Sequence, residues 1–395
     1  MNILIVTTFY HPNELGGTEV QTRILAEALN SHHNLNVLAF DSLTNDKIET
    51  INNVKVRRIK LDKHQNFIKD RIHRKHFGIK ENLKLQFSLA LKNEVLEKLD
   101  IIKNDIPDAD IIHFSGNFAL FPIASIIKKL RKFYSKAKVV FTFHDFYMLG
   151  RRANYPNDKR FFFSVLRKNS LPKNVDYFTT PSSYLKNIVK DDFNLSENKV
   201  VVLNNFIPVK SEKDFNEDSN VILYAGSFEY GKGIDILVKA FNIFSEKCKN
   251  CKLILIGEGY YKSEIENLLK VTDKDRYSIL PKMQRNEVLD YMSKAKFIVA
   301  PSRYNETFGL SLVEGYFSGA LPLGAKRGAL PEVLNNDTEL LFENENELTE
   351  KLTFFSQNIT AAKEKYALLK LNMHKFTFEN TEKKYLNFYQ QINHK

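Results

Sequence analysis

Residues 301–319 read Pro301-Ser302-Arg303-Tyr304-Asn305-Glu306-Thr307-Phe308-Gly309-Leu310-Ser311-Leu312-Val313-Glu314-Gly315-Tyr316-Phe317-Ser318-Gly319. The apolar run Lys296 to Ala300 before them has strand length, and a helix is expected to begin near Phe308. The segment is therefore a strand–loop–helix turn at the carboxyl edge of a sheet. Glu306 lies in the loop and Gly309 at the helix start, where backbone can approach a ligand closely. The free N–H groups of a helix start hold phosphate or sugar hydroxyls. Glu314, eight positions after Glu306, falls near the second helical turn, where a carboxylate can accept hydrogen bonds from a ribose diol; the plain alternative is two surface glutamates beside a helix start.

Outward from this segment the chain alternates short apolar runs with helical periodicity. Asn2 to Thr8, Asn36 to Phe40, Val54 to Ile59, Asp110 to Phe114, Lys138 to Phe143, Asp176 to Thr180 and Lys199 to Leu203 read as strands, and Thr18 to Leu29 as a helix. The pattern lapses in the polar stretch Pro208 to Asn220 and then restarts. Asn220 to Ala225, Lys252 to Ile256, Lys296 to Ala300 and Ala320 to Leu323 are expected strands, with helices at Lys232 to Ser245, Lys262 to Leu269 and Arg285 to Ser293. This is the α/β rhythm of parallel sheets covered by helices. It predicts a first Rossmann-like domain over 1–207, a linker over 208–219 and a second over 220–377. A final helix over 378–395, carrying Tyr385, Phe388 and Tyr389, is expected to pack back toward the first domain. Ligands of such sheets bind at the carboxyl ends of the strands, and the cleft between two domains is the expected site.

Five further constellations accompany the quoted segment, four of them at expected strand ends. Gly16-Gly17-Thr18-Glu19 follows the first strand; alone it reads as a tight turn, or as a helix start wrapping a phosphate. Phe143-His144-Asp145 ends another strand, with Asp145 placed to orient the ring or to cap the next turn. Ala225-Gly226-Ser227-Phe228-Glu229-Tyr230-Gly231-Lys232-Gly233 opens the second domain, with Lys232 as the natural counter-charge to a diphosphate. Gly257-Glu258-Gly259 follows the next strand, and Gly328-Ala329-Leu330-Pro331-Glu332 comes after the quoted segment.

Together these motifs make the chain similar to the retaining family-4 glycosyltransferases of the GT-B fold, whose E-x7-E signature the quoted segment resembles. The resemblance spans nearly the whole chain. It implies two Rossmann-like domains with parallel sheets facing across a cleft, and transfer of a sugar from a UDP- or GDP-sugar to a glycan or lipid-linked acceptor with retention. It implies catalytic roles for His144, Glu306 and Lys232, with Glu306 on the donor sugar and Glu314 on the ribose. The backbone at Phe308, Gly309 and Leu310 would hold sugar and diphosphate. Gly16 and Gly17 would lie under the diphosphate, with Gly226, Ser227 and Gly257 around the nucleotide and Lys282 and Met283 at the base. The sequence departs from the family where Ser227 stands in place of a basic residue after the first glycine, and Arg303 or an arginine of the first domain is a candidate substitute. It departs again at Ala329, which replaces the second glycine of G-G-x-x-E.

The net charge is +11, concentrated in the first half. Lys55 to Lys84 carries eleven Lys/Arg against three acids, Ile126 to Lys138 six against none, and Arg151 to Lys173 seven against one. Interleaved with Phe67, Phe77, Phe133 and Phe161 to Phe163, these clusters suit an anionic membrane surface or a phosphate-bearing lipid-linked glycan. The expected setting is cytoplasmic, peripheral on the inner face of the membrane, in assembly of a cell-surface polysaccharide of capsule, O-antigen or lipopolysaccharide type. No apolar stretch reaches the roughly 20 residues needed to span a bilayer, and the opening residues lack a secretory pattern. Cys248 and Cys251 form a lone C-x-x-C, read as ordinary thiols because a zinc site needs about four ligands. No D-x-D pair stands in a suitable loop, so no essential metal is expected. An oxidoreductase would carry G-x-G-x-x-G after the first strand, which Gly16-Gly17 does not supply. No nucleic-acid reading motif accompanies the basic charge, so nucleic acid is not an expected partner. A sugar-nucleotide epimerase or hydrolase of the same fold is the alternative enzyme, and a non-enzymatic basic protein that binds nucleic acid or membrane is the less favoured reading.

Overall fold

The computed structural model describes residues 1–14, 16–72, 88–118, 121–146, 149, 171–209 and 212–394. It divides into two compact units, Met1–Phe206 with Glu382–Lys395, and Ile207–Thr381.

The first unit contains β1 (Asn2–Thr7), α1 (Gly17–Asn30), β2 (Asn34–Ser42), β3 (Lys47–Ile51), β4 (Val54–Lys60), α2 (Gln65–Ile72), α3 (Leu89–Ile102), β5 (Ile111–Ser115), α4 (Ile123–Phe133), β6 (Lys138–Thr142), β7 (Tyr177–Thr180), α5 (Ser183–Phe193) and β8 (Val200–Val202). Its sheet runs β3-β4-β2-β1-β5-β6-β7-β8, parallel except for the β3–β4 hairpin. Central strands are covered on both faces, so every residue of β5 is buried. Helix α4 buries Ile123, Ile126, Ile127 and Leu130 at helical spacing and leaves Lys128 and Lys132 exposed. The sequence reading missed β3, an exposed edge strand. Its hairpin turns through Asn52 and Asn53, both at positive φ, a two-residue turn for which Asn is well suited.

In the first unit Tyr385 stacks on Phe206 at 5.3 Å, Phe388 meets the Tyr177 ring edge-on at 5.8 Å, and Tyr389 meets His113 at 5.9 Å. The Tyr389 hydroxyl bonds His113 Nδ1. His113 Nε2 lies 2.6 Å from Thr142 Oγ1, which lies 2.6 Å from Thr179 Oγ1. His113 has no solvent exposure; desolvation, and secondarily the neighbouring His144, push its pKa down to about 3. The unfolded chain binds a proton there near pH 6.5 that the folded state refuses. The stabilisation is complete above about pH 6.5 and is lost as pH falls toward 3. Urea unfolding between pH 7 and pH 5 should be less acid-sensitive in His113→Gln than in the parent, by up to about 1.4 kcal/mol per pH unit. Equal slopes would contradict the assignment.

The second unit contains β9 (Val221–Ala225), α6 (Ile234–Lys247), β10 (Lys252–Ile256), α7 (Lys262–Leu268), β11 (Tyr277–Leu280), α8 (Arg285–Met292), β12 (Phe297–Ala300), α9 (Leu310–Phe317), β13 (Leu321–Ala325), α10 (Leu330–Val333), β14 (Leu341–Phe342), α11 (Glu345–Gln357) and α12 (Ile359–His374). A final helix, α13 (Phe378–Asn393), follows. All pairings of the sheet β11-β10-β9-β12-β13-β14 are parallel. The strand order reverses between β9 and β12, the switch point outside whose carboxyl ends ligands of open α/β sheets bind.

The polar stretch expected as a linker is fastened to the second unit. Lys213 N–H donates to Phe317 O at 3.0 Å, Asn216 N–H to Gly319 O at 2.9 Å, and the Tyr316 hydroxyl to Glu212 at 2.7 Å. The cysteines expected as ordinary thiols are instead joined: the turn ending α6 brings the Cα atoms of Cys248 and Cys251 to 5.6 Å, and a disulfide links them. Among the described residues, no helix is long and apolar enough to cross a membrane.

Candidate active site

The loop after β9 carries Lys232 and the loop after β12 carries Glu306. Because β9 and β12 are neighbours, the two loops run side by side. Arg303 and Tyr304 N–H both donate to Gly231 O, at 2.9 and 3.1 Å. This stitching places Lys232 Nζ 2.8 Å from Glu306 Oε1, and Ser302 Oγ donates to the same oxygen at 2.5 Å. Burial opposes ionisation of Glu306. The Lys232 charge and the hydrogen bonds from Lys232 and Ser302 outweigh it, so the carboxyl stays below the ordinary glutamate range.

A third segment fixes the Glu306 backbone. Gly328 pairs with Glu306 in an isolated parallel bridge, Ala329 N–H donates to Glu306 O at 2.8 Å, and Gly328 N–H donates to Asn305 Oδ1 at 3.0 Å. Gly328 has φ +60°, and a Cβ there would come within 2.3 Å of Glu306 N and O. The glycine that begins the Gly-Ala-Leu-Pro-Glu motif therefore serves the placement of Glu306. Gly309, at φ +99°, starts α9, and a Cβ there would strike Leu330 at 2.4 Å. The Phe308 side chain is core, edge-on to Phe376 at 5.3 Å. What the Phe308-Gly309-Leu310 segment offers a ligand is thus its backbone at the head of α9.

Glu314 is 5% exposed on α9 and ion-pairs with Arg285, the first residue of α8. Lys282, exposed, and Met283, half-buried, lie just ahead of Arg285 in the loop after β11. On the other side, Gly226 N–H donates to Ile256 O, Gly257 N–H to Leu280 O, and Phe228 N–H to Glu258 O, at 3.0, 3.0 and 2.7 Å. The Tyr224 hydroxyl donates to Ser227 O at 2.8 Å. Arg303 is committed elsewhere: its guanidinium grips both Asp235 oxygens at 2.5 Å and lies 4.3 Å from the Tyr230 ring centroid. It therefore does not stand in for a basic residue at Ser227.

In the first unit, β1 and β5 are neighbours at the corresponding reversal. Gly16 N–H donates to Glu19 Oε2 at 2.9 Å as α1 begins. Gly16 has extended backbone, and a Cβ at Gly17 would meet no described atom within 4 Å. Neither strain nor packing among the described residues demands glycine at 17, in contrast to 309 and 328. His144 follows β6, half-buried, with Asp145 half-exposed beside it. Its Nε2 lies 3.0 Å from Ser115 Oγ at the end of β5, and Ser115 Oγ lies 2.8 Å from Thr22 Oγ1 on α1. Burial pushes the imidazole pKa down to about 4, so the ring is neutral at pH 7.

The structure thus brings Lys232 to Glu306, Glu314 to Arg285 at the start of the helix that follows Lys282 and Met283, and His144, through Ser115, to the helix that begins at Gly17. Sequence reasoning missed Ser302, Arg285, Ser115 and Thr22. Ser302 carried a faint signal, four positions before Glu306 in the same loop; the others are ordinary residues until the sheets bring them together. Among the described residues, no cluster of three His, Cys, Asp or Glu is arranged to hold a metal.

The basic clusters are partly spent on ion pairs. Arg57 pairs with Asp105, Arg58 with Asp41 and Glu49, Lys60 with Asp62, Lys129 with Asp100, and Arg131 with Asp176. Much of the Lys55–Lys84 and Arg151–Lys173 clusters, with Phe77 and Phe161 to Phe163, lies outside the described residues.

Comparison with known proteins agrees with this architecture. The glycosyl transferases group 1 profile matches residues 206–391 and the glycosyltransferase family 4 profile residues 15–211. An uncharacterized glycosyltransferase of Methanocaldococcus jannaschii is 34% identical over 197 residues, 49% of this chain and 52% of that protein, so the match spans about half of that relative's length. An uncharacterized 42.6 kDa protein in the cps region of Klebsiella pneumoniae is 27% identical over 84% of this chain and 87% of its own. Among solved structures, sucrose-phosphate synthase from Thermosynechococcus elongatus superposes with a TM-score of 0.75 at 17% identity, covering 99% and 98% of the two chains. HepE of Anabaena, solved with UDP and glucose, gives 0.68 at 13% identity, covering 99% and 100%. With both profiles matched in order and the whole chain following that fold, the chain belongs to the family-4 glycosyltransferases and is a glycosyltransferase of the GT-B fold.

Proposed function

We propose that the chain moves a sugar from a UDP- or GDP-sugar onto a glycan or lipid-linked acceptor, with retention, in synthesis of a cell-surface polysaccharide. The observation that carries this reading is the Lys232–Glu306 pair at the reversal of the second sheet. Lys232 has three N–H donors, enough to hold Glu306 and a phosphate oxygen together. The bond from the anomeric carbon to the diphosphate breaks with its electron pair on the leaving oxygen, through an oxocarbenium-like state. The acceptor oxygen attacks the same face, and its proton passes to the departing phosphate oxygen. Lys232 and the amides at the head of α9 meet the charge that develops there. Glu306 hydrogen-bonds the sugar hydroxyls and Glu314 the ribose, with His144 and the Gly16-Gly17 turn as the further donor-binding groups that the family resemblance implies.

The UDP complex of HepE supports a UDP-sugar, and the cps-region relative supports the polysaccharide setting. Exposed Lys128, Lys132 and Lys136 near α4 support contact with anionic lipid or a phosphorylated acceptor. A thermal-shift series against UDP, GDP and their sugars tests the reading. One nucleotide should raise the melting temperature, since a ligand that binds only the folded state stabilises it, and Glu314→Ala should lose most of that shift. No shift with any nucleotide, or full retention in Glu314→Ala, would sink the assignment.

A further inference from the structure

The hydroxyls of Thr22 and Ser115 form a chain whose proton polarity can be counted. Both residues have no solvent exposure, so their hydrogen bonds must be satisfied within the protein. Thr22 Oγ1 lies 2.9 Å from Thr18 O, 3.1 Å from Ser115 O and 2.8 Å from Ser115 Oγ. The two carbonyls can only accept, so the single hydroxyl proton of Thr22 goes to them. Back-bonding to the carbonyl one turn earlier is the usual arrangement for threonine inside a helix. The proton between the two hydroxyls is then that of Ser115. With that proton spent, Ser115 Oγ has only lone pairs for His144 Nε2 at 3.0 Å, and the ring nitrogen must donate. The opposite polarity, Thr22 to Ser115 to His144, strips both carbonyl contacts of a proton.

We infer that Thr22 and Ser115 are positioning residues that hold His144 in one tautomer, protonated on Nε2, so that Nδ1 meets its partners only as an acceptor. The neutral imidazole at pH 7, a consequence of burial, is what makes the tautomer a defined quantity. Thr22 stands on α1, the helix that Gly17 begins, and Ser115 ends the strand beside β1. The relay therefore ties His144 to the glycine turn. The consequence for transfer rests on the proposed role of His144 against the donor sugar: the ring then selects a sugar hydroxyl that donates, and it cannot serve as an acid through Nδ1.

The test is long-range proton–nitrogen NMR of the full chain labelled with 15N-histidine at pH 7, with the His144 signal identified by its loss in His144→Asn. The expected result is Nε2–H in the parent and in Thr22→Ser, and a shift toward Nδ1–H in Thr22→Val, where Ser115 regains its proton for the ring. Ser115→Ala should release the ring into a mixture. In steady-state assays, Thr22→Val and Ser115→Ala should lower kcat about tenfold with the donor KM little changed, and Thr22→Ser should restore it. Nδ1–H in the parent, or a tautomer indifferent to Thr22→Val, overturns the inference. The inferred tautomer with unchanged kcat upholds the relay and overturns the catalytic reading of His144. Thr22→Val conserves volume, and Ser115→Ala provides a second readout should it fail to fold.

Discussion

Lys232→Ala is expected to lower kcat by about 10²–10³-fold, the loss found when one preorganised donor to a developing oxyanion is removed. The ammonium is 2.8 Å from Glu306 and more than a third exposed, so it is held in place without being sealed from a ligand. Its removal has a second effect. Burial of Glu306 opposes ionisation, and the Lys232 charge is the largest influence acting the other way. Without it the carboxyl titrates higher, so the acidic limb of the kcat profile should move upward in pH. Glu306→Gln should remove that pH shift while also lowering kcat. Because the two side chains touch, the double variant should cost less than the sum of the single changes. Lys232→Arg, which keeps the charge but not the point geometry, should fall between. A kcat for Lys232→Ala within a few-fold of the parent would refute the role of the pair.

The weight placed on Lys232 is greater because the nearby arginine is unavailable. Asp235 holds Arg303 bidentately, and Arg303 also donates to Tyr230 O at 3.1 Å. Its task is to brace the loop after β12 against the start of α6. With serine at 227, the proposed reading leaves the leaving group to Lys232 and to backbone amides. Amides aligned at a helix start are fixed dipoles that need no reorganisation as charge develops.

What could be read in the sequence was what local chemistry encodes. Strand–loop–helix turns at 225–233 and 300–310 were visible because buried parallel strands are unbroken apolar runs and their loops need glycine and polar residues. Glu306, Glu314, Lys232 and His144 stand out through the resemblance to the family's motifs, the E-x7-E spacing above all; by themselves two nearby glutamates or a lone histidine say little. Strands β3, β11 and β14 were missed because they are edge strands or only two to five residues long, so their alternation is too short to register. Pairing was not legible at all. Nothing in the sequence says that Glu314 meets Arg285 or that Ser115 reaches His144, because the sheet sets those partners across 29 positions or, in the second unit, across adjoining helices. The disulfide was misjudged for the same reason: two cysteines three apart are compatible with bridge or thiols until the turn between them is known.

Arg58→Met is expected to destabilise the first unit by about 3–5 kcal/mol, the cost of stripping one partner from a buried ion pair. Arg58 is 2% exposed on β4. Its guanidinium reaches Asp41 on β2 at 2.6 Å, Glu49 on β3 and the carbonyls of Tyr10 and His11. Asp41 in turn accepts from Tyr10 N–H at 2.9 Å and from Asn13 at 3.2 Å. The pair therefore fixes the loop after β1, a few residues before the Gly16-Gly17 turn. Burial already pushes the Asp41 carboxyl above its usual range, with Arg58 the main opposing influence. Without Arg58 the folded state takes up a proton at Asp41 that the unfolded chain does not bind until near pH 4. A carboxyl raised in the folded state favours folding at low pH and loses that contribution as pH rises. The gap between parent and Arg58→Met should therefore be widest near pH 8 and narrower near pH 5 in denaturant titrations. The double variant Arg58→Met/Asp41→Leu, which removes both charges, should recover much of the stability while losing the hold on Tyr10 and Asn13. If that recovered protein also transfers sugar as fast as the parent, the pair serves the sheet alone; slower transfer at restored stability places it in support of the glycine turn.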